Sequence, residues 1–207
     1  MALEAPEAAD AVEAIQDAAE GRAHNESFRR RAAIAIGVLA MLLAISGLGG
    51  ANATKEMLNA NIQASDTYAF YQAKNIRQTS NQLAANEFEV LLLTQPDLTD
   101  EARAQITARI NQYKTTVARY ESDPSTGEGK VELLAKAHAY DQRRDHAAHQ
   151  DPSFDFAQAL FQISIVLGSV SIVAASRPLL LLGIGLGSLA TLLMLNGFFL
   201  FFELPLG

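Results

Sequence analysis

The chain contains no cysteine, so neither a disulfide bond nor a thiolate metal site can stabilise it. It also lacks a glycine-rich phosphate loop, a GxSxG motif and a nucleophile placed beside a base. A net charge of −7 argues against nucleic acid as a partner. From these absences we expect a protein that is not an enzyme, uses no cofactor and binds no nucleic acid.

Charged residues are absent from three windows, residues 32–54, 156–176 and 178–202. A helix needs about 20 mainly apolar residues to cross about 30 Å of hydrocarbon, so all three windows are long enough. We predict transmembrane helices at 32–51, 156–176 and 178–202. A cleaved signal peptide is the alternative for the first window, because Ala51, Asn52 and Ala53 imitate a cleavage site. The 31 preceding residues are too long and too acidic for that alternative.

Basic residues near the first window predict the orientation. Four arginines precede it and only Lys55 follows within about 20 residues, which places the N-terminus in the cytoplasm by the positive-inside rule. The four are Arg22, Arg29, Arg30 and Arg31. Residues 1–31 then form an acidic cytoplasmic tail with a short helix ending at Gly21, either solvated or a docking strip for a basic partner. Residues 52–155 lie outside the cytoplasm, and 203–207 form a short tail.

The outer segment reads as entirely helical. Residues 52–94 contain no glycine or proline, which predicts one long helix. Thr99 is placed to cap a second helix, which carries an apolar stripe, and residues 122–129 have the composition of a loop. The stripe is Ala102, Ile106, Ile110, Tyr113, Val117 and Tyr120. A third helix covers about 130–150, with Asp151 and Pro152 as the cap and first turn of the next one.

These lengths predict the fold class. At 1.5 Å per residue, the long helix spans roughly 65 Å, and the two returning helices laid end to end together span about the same length. We therefore expect an all-α membrane protein with three transmembrane helices and a long, coiled-coil-like helical hairpin between the first and the second.

The long helix carries an apolar row at seven-residue spacing, with a polar companion row. The apolar row is Ile62, Ala69, Ile76, Leu83 and Val90, and the polar row is Ser65, Gln72, Thr79 and Asn86. A heptad row of this kind suits a seam shared with neighbouring helices, and the polar residues would select register or face a hydrated channel. A two-limbed hairpin encloses little core, so we predict a homo-oligomer.

Small residues recur along each transmembrane window. We predict that Gly37, Gly168, Gly183 and Gly187 let helix backbones approach closely. The windows hold no ionisable side chain, and we interpret Asn196, Gln158 and Gln162 as links between helices or interfacial residues. Packing among helices and contact with membrane lipid are favoured over transport.

The candidate interaction patch combines aromatic, amide and basic side chains within ten residues. Its members are Tyr68, Phe70, Tyr71, Gln72, Asn75 and Arg77. The alternative is that the aromatics form bundle core and that Arg77 pairs with an acid on the returning limb. His146 and His149 have a spacing that could ligate a metal, but a solvated role is favoured and no metal site is predicted.

Three segments carry a resemblance to a known family: residues 52–56 (NATKE), 61–66 (NIQASD) and 70–79 (FYQAKNIRQT). They resemble the signature of a bacterial membrane-protein family catalogued only as a domain of unknown function. Tyr68 stands where that family often has tryptophan. The resemblance implies a bacterial inner-membrane protein with one span, a helical domain and a two-span hairpin, and it implies no activity.

We therefore expect a scaffold or accessory subunit of a larger membrane complex that assembles through its helical outer domain. One alternative is a sensor that passes a shift through a joint at residues 47–50. A second is a subunit of a pore or transport complex, which would need the polar row to line water.

Overall fold

The computed structural model describes residues 5–204, with side chains from residue 25 onward. In that part of the chain the elements are α1 (Ala5–Thr94), α2 (Asp100–Glu121), α3 (Lys130–Val173) and α4 (Arg177–Phe199), with no strand. The predicted all-α class is confirmed. Three segments are long and apolar enough to cross a membrane: Asn25–Thr94, Lys130–Val173 and Arg177–Phe199.

Two predicted helix ends are wrong. The backbone stays helical through Gly21, so no short separate helix precedes the first span, and the acidic side chains before residue 25 lie outside the described residues. Glycine lowers helix propensity by about 1 kcal/mol but keeps its backbone donor, so its neighbours can carry a helix through it. Pro152 likewise lies inside α3. Asp151 also lies inside α3, where its carboxylate accepts a hydrogen bond from the Thr54 hydroxyl at 2.9 Å.

The predicted features of α2 are confirmed. The Thr99 hydroxyl accepts a hydrogen bond from the Ala102 backbone N–H at 3.2 Å, which satisfies one of the free donors at the start of the helix. Along the helix the apolar stripe is the buried side, with Ile110 fully buried and the other members half-buried. The loop at residues 122–129 separates α2 from α3 as expected.

The chain divides into two compact units: unit 1 is Met1–Thr54 with Ala148–Gly207, and unit 2 is Lys55–Ala147. In unit 2, α2 contacts α1 where the Phe88 and Tyr113 rings stack at 6.0 Å. The start of α3 contacts α1 closer to Lys55, where Arg143 pairs with Glu56 at 3.0 Å. The two helices therefore pack on successive stretches of α1.

The core of unit 1 is built by the end of the first apolar window, the middle of α3 and α4. Its buried members are Leu39, Ala53, Phe154, Ala157, Phe161, Ala190 and Met194. Many large aliphatic side chains of the same helices point outward instead, among them Ile34, Val166 and Leu181. Unit 1 therefore combines a core of mixed residue sizes with a largely apolar outer surface.

The turn between α3 and α4 is tight. The Ser176 N–H donates to the Ser171 carbonyl at 3.0 Å, and Ala175 adopts a left-handed conformation with φ of 48°. This is the hydrogen-bond pattern of a Schellman motif, in which the left-handed position is usually glycine. Leu200 ends α4 in the same conformation, with φ of 47°.

Candidate functional site

The six residues of the predicted interaction patch do not share one surface. Successive residues of an α-helix are rotated by about 100°, which places Phe70 and Arg77 roughly opposite Tyr68 on α1. Tyr68 and Tyr71 are half-buried against α3, whereas Gln72, Asn75 and Arg77 are exposed. Although the six residues are close in sequence, they do not lie on one face of α1, so the patch divides into separate sites.

Tyr68 lies at the centre of a polar network between α1 and α3. Its hydroxyl donates to an oxygen of Asp141 at 2.7 Å, and Arg144 pairs with the other oxygen at 2.8 Å. The hydrogen bond to Asp141 raises the pKa of the Tyr68 phenol, and desolvation acts in the same direction. A cavity of about 430 Å³ opens beside this network, and Gln72 lies in its wall.

Two partly buried lysines form a second cluster that the sequence did not indicate. The Lys74 ammonium lies 5.1 Å from the centre of the Phe70 ring and 5.4 Å from that of Tyr120. Lys130 lies over the Tyr71 ring at 5.7 Å and donates to the Gln78 side chain at 2.8 Å. Phe70 and Tyr71 of the patch therefore serve as cation–π partners inside unit 2.

Glu121 completes this second cluster from the end of α2. It accepts a hydrogen bond from Gln78 at 2.8 Å and pairs with Lys130 at 3.2 Å. The Gln78 hydrogen bond is the main reason that the pKa of Glu121 lies below its usual value, and Lys130 adds to the effect. Of the acids on the returning helices, Glu121 pairs with Lys130, whereas Asp141 and Asp145 pair with Arg144. The expected ion pair of Arg77 is not found among the described residues.

Within unit 2, α1 has two opposite faces. Its packed face, which we call the inner row, is spaced alternately by four and three residues. The inner row is Ala60, Ala64, Thr67, Tyr71, Lys74 and Gln78. The apolar and polar heptad rows of the sequence, together called the outer row, are all exposed, with Ile76 at 67%. A two-residue offset corresponds to about 200° around a helix, so Ile62 and Ile76 point away from the inner row. Ser65, Ala69 and Gln72 of the outer row line the cavity beside Tyr68.

Three of the four predicted packing glycines lie against other helices of unit 1. A Cβ on Gly168 would come within 3.0 Å of Ile36, and one on Gly187 within 3.0 Å of Leu39. Gly183 faces the Ser164 carbonyl, at 3.1 Å from the position of its Cβ. Gly37 is exposed, and a Cβ built there would meet no atom of another helix within 4 Å among the described residues.

Gly49 and Gly197 leave room for the ring of Phe154, although neither was predicted to be a packing glycine. The ring is 2% exposed and would lie within 3.0 Å of a Cβ on Gly49. Gly197 offers the ring equally little space on α4. Residues 47–50 are helical throughout, so the proposed joint there is not a break in α1. Their glycine content is explained at least in part by this close approach.

The one fully buried amide of the spans links α4 to α3. Asn196 donates to the Ser153 hydroxyl at 2.9 Å and exchanges two backbone hydrogen bonds with Phe202. Of the two glutamines, Gln158 is half-buried near Gly50 and Gln162 is exposed. The Asn196 hydrogen bonds match the interpretation of that amide as a link between helices.

Neither histidine of the candidate metal pair is buried, since His146 and His149 are both exposed. Across residues 25–204, no three histidine, aspartate or glutamate side chains converge as a metal site would require. What the described side chains do provide is a set of packing surfaces, two polar clusters and the exposed outer row.

Comparison with known proteins gives one match. Neither the curated proteins nor the solved structures contain a significant match to the chain. A family model described as "Domain of unknown function (DUF4337)" matches residues 28–200, which covers all three apolar windows and the helical segment between them. The chain therefore belongs to the DUF4337 family of proteins with a domain of unknown function.

Proposed function

We propose that the protein is a non-enzymatic scaffold or accessory subunit of the bacterial inner membrane, assembled from copies of itself through α1. In this proposal the N-terminus lies in the cytoplasm and residues 52–155 form a helical hairpin outside it. The chain crosses the membrane three times. The observation that carries the proposal is the exposed outer row of α1.

The outer row leaves much apolar surface uncovered. Ile62, Leu83 and Val90 are 57%, 58% and 56% exposed, although they recur at a strict heptad spacing. Burying an aliphatic side chain of this size contributes about 1.5–3 kcal/mol, so covering four such residues per copy is a substantial driving force. The inner row is already occupied by α2 and α3, so it is the outer row that another molecule could cover.

The chemistry of the outer row favours a second copy of this chain as the occupant. The row contains no charged residue, so identical rows do not repel each other. Its polar members are hydroxyls and amides, which both donate and accept, so each can hydrogen-bond to its own counterpart. Copies inserted in one membrane with one orientation are parallel, which brings identical positions to the same height. A seam of this kind is a parallel coiled coil with polar residues that fix its register.

Cysteine cross-linking in native membranes tests this assembly. The chain has no cysteine, so Ile76→Cys introduces a single thiol into the outer row. A disulfide forms only when two Cα atoms approach within about 7 Å, which identical seam positions satisfy. We expect a covalent dimer from Ile76→Cys under mild oxidation. Arg77→Cys, on the neighbouring and equally exposed residue, is the matched control and should stay monomeric.

Two results would contradict the proposed assembly. One is equal cross-linking at positions 76 and 77, which would indicate random collision. The other is a monodisperse monomer in mild detergent by light scattering, combined with no cross-link in the membrane.

Thiol labelling tests the proposed orientation independently of assembly. Glu128→Cys places a thiol in the exposed loop between α2 and α3, and Ser176→Cys places one in the turn before α4. A membrane-impermeant maleimide applied to spheroplasts should label position 128 only. Position 176 should react after lysis. The opposite pattern would reverse the orientation.

A ligand sensor is the second candidate, favoured by the cavity beside Tyr68. Polar groups of Asp141 and Arg144 line it, as a small polar ligand would require. Purification from native membranes separates the two functions. A partner protein present in a fixed ratio supports the scaffold, whereas a small molecule retained by the wild type and lost from Arg144→Gln supports the sensor.

A further inference from the structure

A cavity of about 310 Å³ lies in unit 1 between α1 and the start of α4. We call it the arginine pocket, and its walls are Ser27, Phe28, Arg31, Arg177, Leu180 and Leu181. It brings together the last basic residue before the first apolar window and the single basic residue between the second and third. Both arginines therefore stand at one end of the helices of unit 1, where the charge-free segments begin.

The two arginines have no ion-pair partner among the described residues. Both arginine side chains are exposed, so neither needs a neighbouring carboxylate to offset a cost of burying its charge. A guanidinium group is a planar fork of donors that matches two oxygens of a phosphate. Two such groups around one cavity form a site for a phosphate-bearing anion.

The start of α4 adds to the positive potential of the pocket. Its N-cap residue, Ser176, makes no side-chain capping hydrogen bond, and Pro178 has no N–H to contribute. The remaining free N–H groups carry the partial positive charge of a helix N-terminus. This contribution is secondary to the arginines, but it has the same sign.

The apolar walls identify the kind of anion. Phe28 and Leu180 are half-buried in the pocket, and Leu181 is 69% exposed at its edge. The exposed apolar surface continues along α4 through Leu182 and Ile184. A free phosphate gains nothing from such a surface, whereas the acyl chains of a lipid would cover it.

We infer that the arginine pocket binds the headgroup of an anionic phospholipid, with Arg31 and Arg177 on the phosphate and the acyl chains along α4. This inference rests on the membrane location in the proposed function. A zwitterionic lipid also has a phosphate, but its own ammonium group offsets the charge that the two arginines would recognise. Anionic lipid is therefore bound in preference.

Native mass spectrometry of the full-length protein, delipidated in a neutral detergent, tests the inference. Phosphatidylglycerol and phosphatidylcholine with the same acyl chains are titrated separately. We expect tighter binding of phosphatidylglycerol, and a loss of roughly 30-fold in Arg31→Gln/Arg177→Gln, since each arginine near a bilayer contributes a factor of about five. Each single variant should lose about fivefold.

Arg29→Gln/Arg30→Gln is the matched control. It removes the same number of positive charges, both from the turn of α1 next to Arg31, but neither residue lines the pocket. We expect it to change the affinity less than about threefold, because only general attraction is reduced. Thermal unfolding in lipid-free detergent checks that each variant is folded. If the double variant is not folded, the two single variants are compared with the control instead.

Several outcomes would overturn the inference. Equal losses in the two double variants would reduce it to general surface charge, and equal binding of the two lipids would remove the headgroup preference. Full competition by millimolar inorganic phosphate would indicate a free-anion site. The assay is read on monomer masses, so a failure of cross-linking at Ile76 would refute the scaffold and leave the lipid result intact. Release of the protein by alkaline carbonate would instead refute the membrane location on which both rest.

Discussion

Gly49→Ala would place a methyl group in space that the ring of Phe154 already occupies. Three ring atoms lie within 3.0 Å of the position of that methyl group. The ring cannot withdraw, because Gly197 contacts it equally closely and Phe198 packs edge-on against it at 4.9 Å. A clash with a confined aromatic ring costs about 1–3 kcal/mol of unfolding free energy.

Gly37→Ala is the control that isolates this clash. Replacing glycine by alanine inside a helix gains up to about 1 kcal/mol in propensity, and that gain is common to both variants. Because Gly37 has open space around it, only the gain should appear there. The difference of about 1–3 kcal/mol between the variants is then the clash itself. In thermal unfolding this corresponds to about 2–4 °C for each kcal/mol in a chain of this size.

A double-mutant cycle with Phe154→Leu completes the test. Leucine lacks the far edge of the ring, so Gly49→Ala should become nearly neutral in that background and the two changes should be strongly non-additive. Circular dichroism in the same detergent follows all four proteins. If Gly49→Ala is as stable as Gly37→Ala, or if its effect is unchanged by Phe154→Leu, the packing argument is wrong.

Three further predictions concern the turn at Ala175, the loop before α3 and the polar network. Ala175→Gly should raise the unfolding free energy by roughly 1 kcal/mol, which is the cost of a left-handed conformation for a residue with a side chain, and so raise the unfolding temperature. Ala174→Gly should not. The pKa of Glu132 is lowered mainly by the Ser122 hydroxyl, so its stabilisation is complete above about pH 4.5 and is lost as acid protonates the folded state. Melting temperature should therefore fall on acidification, and less so in Glu132→Gln. Tyr68→Phe should remove from a spectrophotometric titration a phenol whose pKa is raised above its ordinary value by its hydrogen bond to Asp141.

The sequence predicted the helical elements of this protein well where the signal was apolar and periodic. The stripe on α2 consists of apolar residues whose spacing reports the buried side, whereas the three charge-free windows were recognised by their length and lack of charge. The N-cap at Thr99 was equally readable, because its signal is confined to one turn. Helix ends read from single residues were less reliable. Pro152 was interpreted as a start of a helix, but packing of Ser153 and Phe154 keeps the backbone helical around it.

How the residues of the candidate patch pack could not be predicted, because their packing depends on contacts across helices. The inner row of α1 contains alanine, threonine, lysine and glutamine, so hydrophobic periodicity does not reveal it. Lys74, which lies by Tyr120, and Gln78, which donates to Glu121, were not singled out in the sequence. Arg77 looked like the partner of an acid, but its angle on the helix points it elsewhere. A search for four-three spacing among small and polar residues would have found the inner row.

On α1 the alanines of the inner row are packed while the large aliphatic residues of the outer row are exposed, which reverses the usual distribution of a water-soluble helix. Alanines such as Ala60 and Ala64 are hidden, while Ile62 and Ile76 are open to the surroundings. Separating residues 55–147 from the spans would therefore yield a fragment whose bulkiest aliphatic groups meet water. We expect such a fragment to aggregate as its concentration rises. In the proposed membrane location, confinement of the intact chain to two dimensions would raise the local concentration of the outer rows, so that assembly would need no other protein.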